Sequence, residues 1–134
     1  MDKLFENLKI IDLSTVLAGP SVATFFAELG AEVLKIESPG AGDVTRSWKL
    51  PSEDPHNNVS AYFSSVNYKK KYLTLNLNTP EGHSILMQHV GDADILISNF
   101  KKGDATKLNI EDATLRNINP KLIIGKISGF GAQS

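Results

Sequence analysis

The sequence predicts an α/β fold, a Rossmann-like three-layer sandwich built on a mainly parallel sheet. Three observations point there. Residues 8–13, 33–36, 95–97 and 122–127 are short, nearly continuous apolar runs, the pattern of strands buried on both faces. Stretches with apolar residues at helical spacing lie between them. Gly, Pro and Asn collect at the junctions, where strands hand over to helices. The resulting order is β-α-β-loop-(α)-β-α-β-α-β, with no internal repeat, and its 134 residues suit one domain.

The first strand carries Leu8, Ile10, Ile11 and Leu13. The helix after it, residues 21–29, sets Val22, Phe25, Phe26 and Leu29 on one stripe opposite Thr24 and Glu28, so that stripe is expected to face the sheet. Gly30 follows as a left-handed C-cap, and Val33, Leu34 and Ile36 make the second strand. Residues 38–58, dense in Pro, Gly and Asn, read as a long surface loop, with Arg46 and Trp48 suggesting a functional one. Residues 60–66 form a short helix turning Tyr62, Phe63 and Val66 inward. Leu73, Leu75 and Leu77 alternate with Thr74 and Asn76 in a half-buried strand over residues 72–78. Thr79-Pro80-Glu81 opens a helix as N-cap, N1 proline and first-turn acid, with Ile85, Leu86 and Val90 as its apolar face. Ile95, Leu96 and Ile97 make the fourth strand. Asn109 and Asp112 resemble a capping pair for a helix that Asn119-Pro120 closes. Residues 122–127 make the last strand and lead into Ser128-Gly129-Phe130-Gly131.

Composition narrows the function classes. Fourteen Lys and Arg face 15 Asp and Glu, a net charge of −1, so no basic field points to nucleic acid. With no cysteine, a disulfide framework, a thiolate nucleophile and a Cys-metal site are excluded. The opening residues lack a secretory pattern and no apolar run reaches membrane-spanning length, so a soluble, cytoplasmic protein is expected.

Ligands of such sheets bind beyond the carboxyl ends of the strands. The first loop, residues 14–20, is the expected anion site because a helix N-terminus follows it. It is no dinucleotide fingerprint, since Gly19 is its only glycine and Walker A spacing is absent. Glu37 ends the second strand where a ribose-binding acid can stand, yet a solvated strand-end glutamate is the plainer reading. His56, His83 and His89 show no metal-ligand spacing and read as ordinary histidines, so no metal is expected. Asp12 reads as a carboxylate bonded to nearby backbone; Ser14 and Thr15 have no evident base partner. Lys69-Lys70-Lys71 admits two readings, a solvated corner or a phosphate contact. Asn99-Phe100 offers an amide and a ring for a base. The residues by themselves give a domain that binds something phosphorylated.

The order of short motifs goes further. Asp12-Leu13-Ser14, Val16-Leu17-Ala18-Gly19-Pro20, Leu29-Gly30-Ala31-Glu32-Val33, Lys35-Ile36-Glu37, Pro39-Gly40, Gly42-Asp43 and Thr45-Arg46 open the chain. Tyr62-Phe63, Asn67, Lys70, Thr79-Pro80-Glu81-Gly82, Ala93-Asp94-Ile95-Leu96, Asn99-Phe100, Gly103, Asn119-Pro120-Lys121-Leu122-Ile123 and Ser128-Gly129-Phe130-Gly131 follow. In this order and spacing the chain resembles the family III CoA-transferases, a group with formyl-CoA transferase, carnitine and bile-acid CoA-transferases and the related α-methylacyl-CoA racemases.

The resemblance implies that residues 1–134 are the N-terminal CoA-binding region of a longer, interlocked homodimeric enzyme, and so only part of the full family fold. Coenzyme A or acyl-CoA is the implied substrate, with a carboxylic acid as second substrate, and neither nucleic acid nor membrane as partner. Carried over, Val16, Leu17 and Ala18 line CoA in the first loop, Leu75 and Asn78 follow the third strand, and Asn99, Phe100 and Lys101 the fourth. Lys107 stands where members often carry an Arg for the nucleotide phosphates. Ser38 replaces an Arg that packs on the nucleotide end, a contact Lys69 to Lys71 are placed to restore. Leu17 replaces the Gln of formyl-CoA transferase, which argues against oxalate and formate as the acid pair. The implied chemistry runs through an aspartyl-CoA thioester, with the nucleophilic Asp beyond this chain, so the chain alone is expected to be inactive. Acyl-CoA racemisation by an acid/base pair and a non-catalytic nucleotide-binding module are the alternatives.

Overall fold

A computed structural model describes residues 3–131. Met1 and Asp2, part of the segment read for a leader, and residues 132–134 lie outside the described residues. Strands β1 (Lys9–Asp12), β2 (Glu32–Glu37), β3 (Lys71–Thr74), β4 (Ile95–Ser98) and β5 (Ile123–Lys126) form one sheet in the order β3-β2-β1-β4-β5. Every neighbouring pair is parallel, with Ile11 level with Leu34 on one side and Leu96 on the other. The α/β class and the parallel sheet expected from the sequence are therefore the observed ones.

The helices are α1 (Ala18–Glu28), α2 (Ala61–Ser65), α3 (Pro80–Gly91), α4 (Asp104–Lys107) and α5 (Asp112–Ile118). Alternation along the strands splits the core between two faces. Ile10, Val33 and Ile97 pack with Ala23 and Ala27 of α1. Ile11, Ile36 and Leu96 pack with Leu86 and Val90 of α3 and Leu115 of α5. The pleat sends successive residues to opposite layers, which makes the sandwich three layers deep.

Helix α1 turns a different face inward from the one expected. Ala23, Thr24 and Ala27 are buried, while Val22 and Phe25 are 44% and 54% exposed. Small side chains let the helix lie close on β1 and β4; at its start, a Cβ on Gly19 would come within 2.2 Å of Ser14 Cβ. Val22 and Phe25 are displaced outward while Phe26 stays partly buried against the Ile10, Val33 and Ile97 cluster, and both phenylalanines pack on Phe5 with ring centroids 6.4 and 5.1 Å away. Gly30 caps α1 as expected, at φ 102°. Its N–H reaches Ala27 O at 3.1 Å and that of Ala31 reaches Phe26 O at 3.0 Å, the paired bonds of a Schellman cap.

Other elements shift in detail. The third strand stops at Thr74, although the Leu75 N–H still donates to Glu37 O at 3.0 Å. Ile85 is 38% exposed and so lies at the margin of the α3 apolar face, whereas Leu86 and Val90 are fully buried. Thr79 caps α3 as expected, its side chain accepting from Gly82 N–H. Asn109 does not pair with Asp112 as a cap: it takes φ 52° and closes α4, with the Ile110 N–H donating to Ala105 O at 2.9 Å. Asn tolerates that left-handed position better than most residues, and the unanticipated α4 is what uses it.

Candidate functional site

The carboxyl ends of the strands gather the first loop, the segment after β2, residues 75–78 and the segment after β4. The first loop is held from outside itself. The Ser14 N–H donates to Asp12 Oδ1 at 2.9 Å, and Lys35 Nζ donates to Ser14 O at 2.8 Å. The Asn99 side chain grips Thr15 twice, accepting from its N–H at 3.0 Å and donating to its carbonyl at 2.8 Å. The Val16 N–H is shared by the two Asp43 carboxylate oxygens at 3.4 and 3.3 Å. The amides of residues 14–16 are thus already committed to side chains of this chain. The expected anion site rests on the helix N-terminus that follows, where Leu17 supplies no side-chain cap.

A set of buried charges lies beneath. Lys70, with no exposed side-chain surface, pairs with Asp12 at 2.8 Å and donates to Pro20 O, Val66 O and Asn67 Oδ1. Burial pushes its ammonium below the usual lysine range, with the Asp12 carboxylate opposing. Lys35 pairs with Asp43 at 3.0 Å, both side chains again fully buried. Glu37 is also buried and is gripped by both ends of the Arg46 fork, Nε at 2.9 Å and Nη2 at 2.7 Å. The Arg46 guanidinium lies 3.8 Å from the Phe63 ring centroid. For Glu37 and Asp43, burial acts upward, but the hydrogen bonds from Arg46 and the Asp43 amide, and from the Thr45 amide and Lys35, outweigh it and hold both carboxyls below their usual values. Three cations answer three carboxylates, so the floor of the site is close to neutral.

These contacts correct several readings. Glu37 is no solvated strand-end acid. Asp12 is bonded to backbone, as expected, but also carries an ion pair. Of the lysine run, Lys70 is a buried structural cation and Lys71 reaches Glu32 at the start of β2, away from the strand ends, so neither is placed to compensate at Ser38 as expected. Arg46 anchors the 38–58 loop through Glu37 and Asn58 O rather than standing free for a ligand.

Above that floor is a cleft of about 160 Å³ with an apolar wall of Leu13, Ile36, Leu75, Leu77, Phe100 and Leu108. Ser38, Leu75, Asn78 and Phe100, four of the ten sequence-derived contacts, line it together, as do Thr15, Asn76 and Asp43, which the sequence reading did not select. Asn99 and Lys101 share an adjoining hollow with Phe100, beside Lys102 and residues 127–131. Val16, Leu17 and Ala18 lie in neither, though Val16 and Leu17 directly follow Thr15 at the cleft wall; Leu17 is half exposed. Lys107 is exposed and lines neither, its nearest acid being Asp104 at 3.7 Å. The volume is about half the lower bound of a typical small-molecule pocket, so it suits one group of a large ligand and not a whole one. Among the described residues no group of three or more His, Asp or Glu side chains could hold a metal ion, and no helix is long and apolar enough to cross a membrane.

Known proteins are similar to this chain in sequence and fold. A succinate–glutarate CoA-transferase from Agrobacterium fabrum is 40% identical over 129 residues, covering 94% of this chain and 32% of that protein. A formyl-CoA:oxalate CoA-transferase from a Bradyrhizobium species is 35% identical over 131 residues, covering 98% of this chain and 30% of that protein. The crystal structure of a CAIB/BAIF family protein from Brucella suis superposes with a TM-score of 0.87 at 37% identity, over 98% of this chain and 35% of that one. The chain therefore spans about a third of the length of the relatives it matches. The model of CoA-transferase family III matches residues 5–134, nearly the whole sequence, and the chain belongs to that family.

Proposed function

We propose that these 134 residues are the CoA-binding portion of a longer CoA-transferase, which moves CoA from an acyl-CoA donor to a carboxylic acid. The observation that carries this reading is the convergence of Ser38, Leu75, Asn78 and Phe100 on one cleft at the strand ends. They come from three separate stretches of chain; the family resemblance implies CoA contacts at Leu75, Asn78 and Phe100, and Ser38 stands where it implies an arginine on the nucleotide end. The cleft takes one flat group of the nucleotide end, with Phe100 as the stacking ring. Lys101 and Lys102 in the adjoining hollow supply positive charge for phosphates.

In this reading, as the family resemblance implies, the nucleophilic carboxylate belongs to the longer protein outside these residues; Asp12 and Asp43 are buried and ion-paired. An aspartate elsewhere in the longer protein attacks the donor thioester carbonyl and expels CoA thiolate, leaving a mixed anhydride. The thiolate attacks the aspartyl carbonyl, releases the donor acid and forms the aspartyl-CoA thioester. The acceptor carboxylate displaces the thiolate to form a second anhydride, and the thiolate then takes the acceptor acyl group and frees the aspartate. The longer protein is, in this reading, a cytoplasmic homodimer, and Leu17 favours an acid pair other than oxalate and formate.

Calorimetric titration of the purified chain with CoA, NADH and ATP tests the binding half. The expected result is heat with CoA, weakened in Phe100→Ala, and no acyl-CoA:acid exchange by the chain alone. Tighter binding of NADH than of CoA, or exchange activity in the isolated chain, contradicts it.

A further inference from the structure

Val16 is the strained point of the first loop. Its φ is 73°, in the left-handed region, where a β-branched side chain is a genuine outlier. Such a residue persists only where its surroundings over-determine it. Here side chains hold the peptide groups leading into Val16, and the start of α1 at Leu17 and Ala18 follows directly after it. Asn99 clamps the preceding peptide through both Thr15 N and O, while Lys35 holds Ser14 O. Ahead of them, the Val16 N–H lies 3.3–3.4 Å from both oxygens of Asp43, long contacts split over a carboxylate rather than one directed bond. A split contact of this kind depends on the negative charge as well as on any single acceptor lone pair. That charge stays in a dry place because Lys35 sits 3.0 Å away, with neither side chain exposed. Asp43 is further fixed by the Thr45 N–H and hydroxyl at 3.0 and 2.8 Å.

We propose that Lys35 and Asp43 are positioning residues: their buried pair holds Val16 left-handed and so pre-forms the loop that meets CoA. The last clause rests on the CoA-binding reading above; the hold on Val16 does not. Lys35 lines no part of the cleft, and Asp43, which stands at its wall, has a fully buried side chain spent on Lys35, Thr45 and the Val16 N–H. Their effect passes through the backbone of residues 14–16 to Leu17 and Ala18, which start α1. A pre-formed loop spares the ligand the ordering cost of a mobile one, so the pair acts on affinity.

A double-mutant cycle between Asp43→Asn and Val16→Gly tests this, because glycine adopts φ 73° without strain. In the wild-type background Asp43→Asn is expected to weaken CoA binding by about tenfold, and in the Val16→Gly background by less than about threefold. Equal losses in both backgrounds overturn the proposal, since a general structural role would not be relieved by glycine at position 16. Two readouts are independent of CoA. Deuterium exchange at the Val16 amide should quicken at least about tenfold in Asp43→Asn while the Leu13 amide, bonded to Ile97 O, is unchanged. Val16→Gly should leave the urea midpoint unchanged or raised; a lowered midpoint overturns the strain assignment and needs no folded Asp43 variant. If wild-type protein fails to bind CoA, the binding reading falls, and exchange at Val16 still decides whether Asp43 holds the loop.

Discussion

Lys70 and Glu37 show how single residues set this site. Lys70 stands in a run that looks like a solvated corner, yet its ammonium meets one carboxylate and three further oxygens in the interior. Nothing in local composition distinguishes it from Lys69 and Lys71, because burial depends on Asp12, 58 residues earlier. Lys70→Met should leave Asp12 charged and unpaired and cost about 3–5 kcal/mol, read from urea unfolding. A loss under about 1 kcal/mol would mean that Asp12 does not need the pair. Glu37 and Asp43 give a pH dependence whose sign is fixed. Both are held below their usual 4.5 and 3.8, so their contribution is present above those values and is lost as pH falls through the lower folded ones. The urea midpoint should therefore decline as pH drops below about 4.5, and Glu37→Gln should flatten that slope.

Among the elements, α1 carries the sharpest lesson. Hydrophobic periodicity expects its large side chains to face the sheet, but the layer spacing selects the small ones. Ala23 is fully buried and Phe25 half exposed. Ala23→Leu should cost about 1–3 kcal/mol through overpacking. Phe25→Ala, which removes a half-exposed ring and its contacts with Phe5 and Phe26, should cost about 1 kcal/mol or less by the same unfolding measurement. The opposite ranking would mean that the aromatic stripe is the buried one. The strands, the Gly30 cap and the start of α3 were legible because they rest on local rules: apolar runs, a glycine after the last turn, Thr before Pro; α1 begins at Ala18, three residues before the expected start. The α1 face was not legible, since what lies across from a helix is not written in the helix. Asn109 misled for a related reason, its capping pattern serving the short α4 behind it rather than α5 ahead.

For the whole molecule, the parallel order β3-β2-β1-β4-β5 brings distant segments to one edge. The cleft residues taken from the motif series were legible only through resemblance to a family. Asp43 and Lys35 stood among the motif residues, but their pairing was not legible because a buried pair spanning β2 and the loop after it leaves no periodic trace. The central claim is that CoA lies across the carboxyl ends of this sheet. The most direct test is titration of the isotope-labelled chain with CoA, followed residue by residue through its backbone amide resonances. Shifts should centre on residues 16–18, Leu75 to Asn78 and Asn99 to Lys101, and leave Lys9, Glu32, Lys71 and Asp92 at the opposite edge unmoved. Shifts centred on that opposite edge, or none at saturating CoA in a folded chain, would contradict the account.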